Sequence, residues 1–278
     1  MHGKTEKIAG LKIRTHILLL LLSCFIVIST IIAILFNDIY IDGAWINAQW
    51  MGQDVVTLFI AVPILLISRY KALTKNCYRW DLVLTGTLFY LVYTYSFYTL
   101  VAGLTFLYLF HLVIFSLALF LLLVSVYRLT QKERVWNLSG WMTYNAVVVF
   151  FAFMSIVLSI LWISDIISHL TISDFKSGTP DGKPPMIIYT LDLAIIIPLM
   201  IIAVMGNLKK HAYGIILSGV MLTMATIMGF SLSGMALSLY LHQLNTDTYL
   251  CILWLILALM GGIITILFMK NIKVKQKT

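Results

Sequence analysis

Residues 104–127 read LTFLYLFHLVIFSLALFLLLVSVY, a run without Asp, Glu, Lys or Arg that stops at Arg128. About 20 consecutive apolar residues wound as a helix cross the hydrocarbon core of a bilayer. No soluble core of this size could absorb many such runs, and this chain has several. Working outward from 104–127, spans are predicted at 16–36, 52–68, 82–102, 142–163, 187–206, 213–240 and 249–269. The expected fold class is all-α, a polytopic transmembrane helix bundle of about eight spans in a single domain. The connections are too short to hold a separate soluble domain.

Composition agrees. The 278 residues are 61% hydrophobic and 11% charged, with a mean hydropathy of +0.99, whereas soluble domains carry roughly 25% charged residues. The net charge of +8 could suggest nucleic acid, but its distribution argues for a lipid bilayer as the partner. Lys4, Lys7, Lys12 and Arg14 precede the first span; Arg69, Lys71, Lys75 and Arg79 follow the second; Arg128, Lys132 and Arg134 follow the fourth. Lys209 and Lys210 follow the sixth, and Lys270, Lys273, Lys275 and Lys277 close the chain. Every group falls in an alternate loop or a terminus, with Lys176 and Lys183 alone on the other side. Basic loops stay cytoplasmic, so both termini are expected on the cytoplasmic side of the membrane. The acids Asp38, Asp42, Asp165, Asp174, Asp181 and Asp247 lie opposite.

Trp45, Trp50, Tyr70, Trp80, Trp136 and Trp141 lie near span ends, as interfacial aromatics do. Leu21-Leu22-Ser23-Cys24 has the form of a lipoprotein cleavage box, but the apolar run continues to Phe36, so it reads as the first span. Cys24, Cys77 and Cys251 fit neither a disulfide framework nor a metal knuckle. The longest outer connection, 164–186, contains the turn signal Thr179-Pro180-Asp181-Gly182.

Ionisable groups within a bilayer are costly and tend to mark function. Asp54 near the outer end of the second span, His111 about 10 Å into the fourth and Asp192 in the sixth are all expected in the outer third. Thr87, Tyr90, Thr94 and Tyr98 share one face of the third span by their spacing, and Thr105 and Tyr108 precede His111. With Tyr240, His242 and Gln243, these residues could line an outward-opening pocket for a small molecule or an ion. Bland alternatives stand beside this one: Asp54 as an anion at a helix N-terminus, His111 as a structural histidine, the tyrosines as packing. Zinc accepts imidazole and carboxylate ligands, so Asp54, His111 and Asp192 form a conceivable metal set, although no local metal-binding spacing supports it. No cofactor motif is present.

Pro63 follows Asp54 by nine residues and Pro198 follows Asp192 by six, which suggests two parallel four-helix repeats with the acids facing alike. The run Gln53-Asp54-Val55-Val56-Thr57-Leu58-Phe59-Ile60-Ala61-Val62-Pro63 resembles a widespread set of uncharacterised bacterial polytopic membrane proteins. Leu191-Asp192 through Pro198, followed by Lys209-Lys210-His211-Ala212-Tyr213-Gly214, is similar to a second motif of that set. Members carry arginines and an aromatic in this second loop, and here it reads Lys-Lys-His-Ala. The resemblance covers about a tenth of the chain; it implies a bacterial origin and adds no activity. Three functional readings follow: a small-solute or ion transporter, small enough that a homo-oligomer is an expected assembly; a membrane-embedded enzyme using Asp192 and His111; or a sensor or assembly partner contacting others through 164–186.

Overall fold

The computed structural model describes residues 2–75, 77–130, 134–177, 179, 185–244 and 248–276. Eight helical rods run back and forth: α1 (His2–Leu35), α2 (Ala44–Thr74), α3 (Tyr78–Leu100), α4 (Tyr108–Leu129), α5 (Trp141–Thr171), α6 (Met186–Leu208), α7 (Ala212–Leu241) and α8 (Thr248–Asn271). Among the described residues, seven of these are long and apolar enough to cross a membrane, and the eighth, α3, falls below them in hydropathy. Its tyrosines and threonines are the reason, and packing explains how they are tolerated. Tyr90, Tyr95, Tyr98, Thr85, Thr87 and Thr94 are all buried, because α3 stands at the centre, packed on α2, α4 and α7. A helix shielded by its neighbours can carry polar groups that lipid would reject.

The bundle repeats its packing. α1 packs on α2 and α4, as α5 packs on α6 and α8; α3 packs on α2 and α4, as α7 packs on α6 and α8. Alternation of eight helices gives corresponding helices of the two halves the same sense, which a parallel four-helix repeat requires, and α2 packs in addition on α7. The central pair α3 and α7 approach closely at Gly86, where an added Cβ would lie 2.5 Å from the Val220 carbonyl oxygen.

Both proline helices contain a π-helical turn: Thr57–Ala61 in α2 and Asp192–Ile196 in α6. The Val62 amide donates to the Thr57 carbonyl and the Ile197 amide to the Asp192 carbonyl, five residues back in each case. Pro63 and Pro198 come next. Proline has no N–H and its ring crowds the carbonyl four residues earlier; the wider π turn takes up the strain. The two turns therefore start six residues before their prolines, so Thr57, not Asp54, is the counterpart of Asp192. Counting nine back from Pro198 pairs Asp54 with Tyr189. This corrects the expected equivalence of the two acids.

Several boundaries move. α2 spans Ala44–Thr74 rather than 52–68, and α5 continues to Thr171, shortening the expected 164–186 connection by two turns. Pro180, Asp181 and Gly182 of the expected turn, with Lys183, lie outside the described residues. Trp50 and Trp136 are buried rather than interfacial, at 5% and 6% exposure. Two strands, β1 (Arg134–Leu138) and β2 (Ile272–Gln276), form an antiparallel ribbon with Trp136 opposite Val274. They follow α4 and α8, the last helix of each half, and mark the end of the bundle that carries the chain termini.

Candidate functional site

At the far end of the bundle, Asp54 of α2 is 2% exposed and its carboxylate is held by two phenols. Tyr40 donates to Oδ2 at 2.7 Å and Tyr98 of α3 donates to Oδ1 at 3.0 Å. Neither partner is basic. Around the carboxylate the rings pack on one another: Trp50 and Tyr98 have centroids 4.7 Å apart, Tyr40 and Tyr98 6.1 Å, Tyr95 and Tyr98 5.3 Å, and His111 and Tyr98 4.7 Å.

The segment between α1 and α2 closes this box. It turns at Gly43, whose φ of +94° suits glycine, and it is pinned at several points. Asn47 Nδ2 donates to the Tyr40 carbonyl at 2.7 Å. The Asp42 carboxylate accepts the Trp50 indole N–H at 2.9 Å and the Gly103 amide at 2.6 Å, tying the segment to the α3–α4 connection. Tyr40 is thereby held over Asp54 as a cap.

Asp192, 7% exposed, opens the π turn of α6 and has its own donors. Tyr93 of α3 donates to Oδ1 at 2.7 Å and Trp162 Nε1 of α5 to Oδ2 at 2.8 Å. Tyr93 and Tyr98 are five residues apart, about 140° around the helix and ~7.5 Å along it. The two acids therefore grip different sides of α3. Trp162 packs on Tyr189 at 5.5 Å, and the Tyr189 hydroxyl donates to Asp165. Ser177 also donates to Asp165, at 2.7 Å, and its oxygen lies 2.6 Å from His169 Nε2, fixing the connection after α5.

Further along α3, the Tyr90 hydroxyl bonds Thr57 at 2.8 Å and Ser231 of α7 at 2.9 Å, joining the three helices at the π turn. Thr85 bonds Ser125 at 2.6 Å, and Asp81 pairs with Arg128 at 3.1 Å near the terminal end. From Tyr98 to Asp81 the helix rises ~25 Å, most of the ~30 Å hydrocarbon thickness. α3 thus carries polar groups at successive levels across nearly the whole bundle.

The expected residues separate as follows. Asp54, Tyr98 and His111 come together, and Tyr90 forms a node deeper along the same helix. His111 falls in the first turn of α4 rather than two turns in, because residues 101–107 are not helical. Tyr108 makes none of the hydrogen bonds to either acid. Tyr240 is exposed, and His242 Nδ1 bonds the Ser238 carbonyl of its own helix, so the end of α7 does not join the site. The metal set is not assembled: among the described residues no three His, Cys, Asp or Glu side chains stand close enough to share an ion. Asp192 is bound to Tyr93 and Trp162, away from His111. Both carboxylates are buried under their hydrogen-bond donors. A groove of about 380 Å³ lies instead between α5 and α6, lined by Ser155, Ser159 and aliphatic residues.

Tyr40, Tyr93, Tyr95 and Trp162 were missed. Tyr40 sits in a connection, where helical spacing gives no signal. The α3 tyrosines did carry one: positions 90, 93, 95 and 98 cannot share one face, and a helix polar on several faces in an apolar chain belongs at the centre. Comparison with protein-family models, with curated proteins and with solved structures gave no match.

Proposed function

We propose that this protein is a small-solute or ion transporter of a bacterial cytoplasmic membrane, with both termini cytoplasmic and Asp54 as its cation- or proton-binding carboxylate. One observation carries the reading: Asp54 is 2% exposed inside the bundle and its partners are phenols, not a base. A hydrogen bond to a charged group returns about 1.5–3 kcal/mol, while taking a carboxylate out of water costs several kcal/mol. Two phenols together return about 3–6 kcal/mol, which offsets much of that cost but supplies no counter-charge to the carboxylate. A neutral side chain would be more stable here, so a carboxylate at this place points to a bound cation or proton. The matched π turns in α2 and α6 support the same reading, since single π turns inside α-helices recur at functional sites.

An embedded enzyme built on Asp192 and His111 has less support, because the two side chains occupy separate clusters. The test is flux in proteoliposomes, with a trapped pH dye, for wild type and Asp54→Asn. Expected is a pH-gradient dissipation that falls at least tenfold in the variant while its thermal unfolding midpoint stays close to wild type. Equal flux in both, from protein shown to be folded, would remove Asp54 from any transport step and with it this reading.

A further inference from the structure

We infer that the Asp54 box takes a small organic ammonium ion; the inference rests on the transport reading and names its substrate class. A bare metal cation needs a shell of oxygens, six or more for the larger hard ions. The box offers few. Its oxygens are the Asp54 carboxylate, the Tyr40, Tyr95 and Tyr98 hydroxyls and the Trp50 carbonyl, which the Tyr98 hydroxyl approaches at 3.4 Å. The remaining wall is aromatic: Tyr40, Trp50, Tyr95, Tyr98 and His111, with neighbouring centroids 4.7–6.4 Å apart.

Ring faces attract a cation within ~6 Å of their centroids, tryptophan most strongly, and several rings around one point favour alkylated ammonium over a hydrated ion. A carboxylate at the floor of such a box supplies the opposite charge. The rings fill the space themselves, and the Tyr40 ring lies over the carboxylate. The backbone of Tyr40 is pinned through its carbonyl, so a ligand enters by turning the side chain alone aside and taking its place over Asp54 and against Trp50 and Tyr98. Asp54 then exchanges a phenol hydrogen bond for an ion pair. A proton and an ammonium ion would compete for this one carboxylate, which would couple their movements in opposite directions.

The test uses tetramethylammonium with the full chain in detergent, by isothermal titration, alongside the neutral alcohol 3,3-dimethylbutan-1-ol of similar bulk. Expected is saturable binding of the cation and not of the alcohol, weakened at least tenfold by Asp54→Asn and by Trp50→Leu, and weakened as pH is lowered. Should Asp54→Asn fail to fold, Trp50→Leu, the alcohol and the pH series carry the test. Equal binding of cation and alcohol, or cation binding that survives both substitutions, overturns the inference. Absence of cation binding with Asp54-dependent proton flux intact overturns the inference and leaves the transport reading standing. Absence of both removes the two together.

Discussion

Gly52 lies midway between Trp50 and Asp54 of the aromatic box, and its α-carbon faces the backbone of α7. A Cβ built there would sit 2.3 Å from the Gly234 carbonyl oxygen, 2.6 Å from its carbon and 2.8 Å from the Met235 α-carbon. All three are backbone atoms, so no side-chain rotation relieves the clash. Reaching even the 3.0 Å floor of real contacts requires α2 and α7 to part by 3.0 − 2.3 = 0.7 Å, and ordinary contact at 3.4 Å requires 1.1 Å. Overpacking of this kind costs about 1–3 kcal/mol, and a clash against backbone alone belongs at the upper end. Alanine returns about 1 kcal/mol of helix propensity. The net expectation for Gly52→Ala is a loss of about 2 kcal/mol, read as a lowered midpoint in thermal unfolding of the purified protein. Gly234→Ala should cost less, because its closest contact, at 2.6 Å, is the Val56 side chain. Gly262→Ala meets nothing nearer than 3.6 Å and should match or exceed wild type. The order Gly52 below Gly234 below Gly262 follows from these distances, and a Gly52→Ala protein as stable as Gly262→Ala would refute the close crossing of α2 and α7.

Arg128→Gln removes the guanidinium from Asp81, a carboxylate only 1% exposed, and should destabilise by about 3 kcal/mol; the double variant with Asp81→Asn should recover part of that loss in the same unfolding assay. Trp162→Phe keeps a ring against Tyr189 but deletes the N–H that bonds Asp192, and should cost about 1–3 kcal/mol. Equal midpoints for Trp162→Phe and wild type would show that the indole bond is not formed in solution. Ser177→Ala removes the hydroxyl shared by Asp165 and His169, so limited proteolysis should cut the α5–α6 connection faster than in wild type, with the cleavage rate elsewhere unchanged.

Much of the bundle is written in the one-dimensional pattern. Long apolar runs bounded by basic loops give helices and their alternation, because a bilayer tests each segment almost independently. What the pattern hides is contact between segments. Depth places Asp54, Tyr98 and His111 at one level, and Tyr98 bonds Asp54 and packs against His111. Asp192 was expected beside them and is not, since depth is shared by every helix at one level while azimuth depends on packing. Trp50 and Trp136 failed as belt residues for the same reason: position along a helix does not say which side faces lipid. The β-ribbon did have a local signal, the alternation of Ile272 and Val274 with Lys273 and Lys275. The same lysines also fit a cytoplasmic tail, so the alternation by itself does not decide for a strand.

That ribbon has a mechanical consequence. β1 leaves the last helix of one half and β2 leaves the last helix of the other, and they pair antiparallel, as a two-fold axis between equivalent strands would require. Five residues from each half are thus stitched edge to edge at one face of the molecule, while toward the other α2 of one half and α7 of the other cross backbone to backbone at Gly52 and Gly234. Two clamps of different kind therefore hold the halves together, main-chain hydrogen bonds at one end and a glycine crossing at the other. Removing the chain from Ile272 onward would release the first and leave the second.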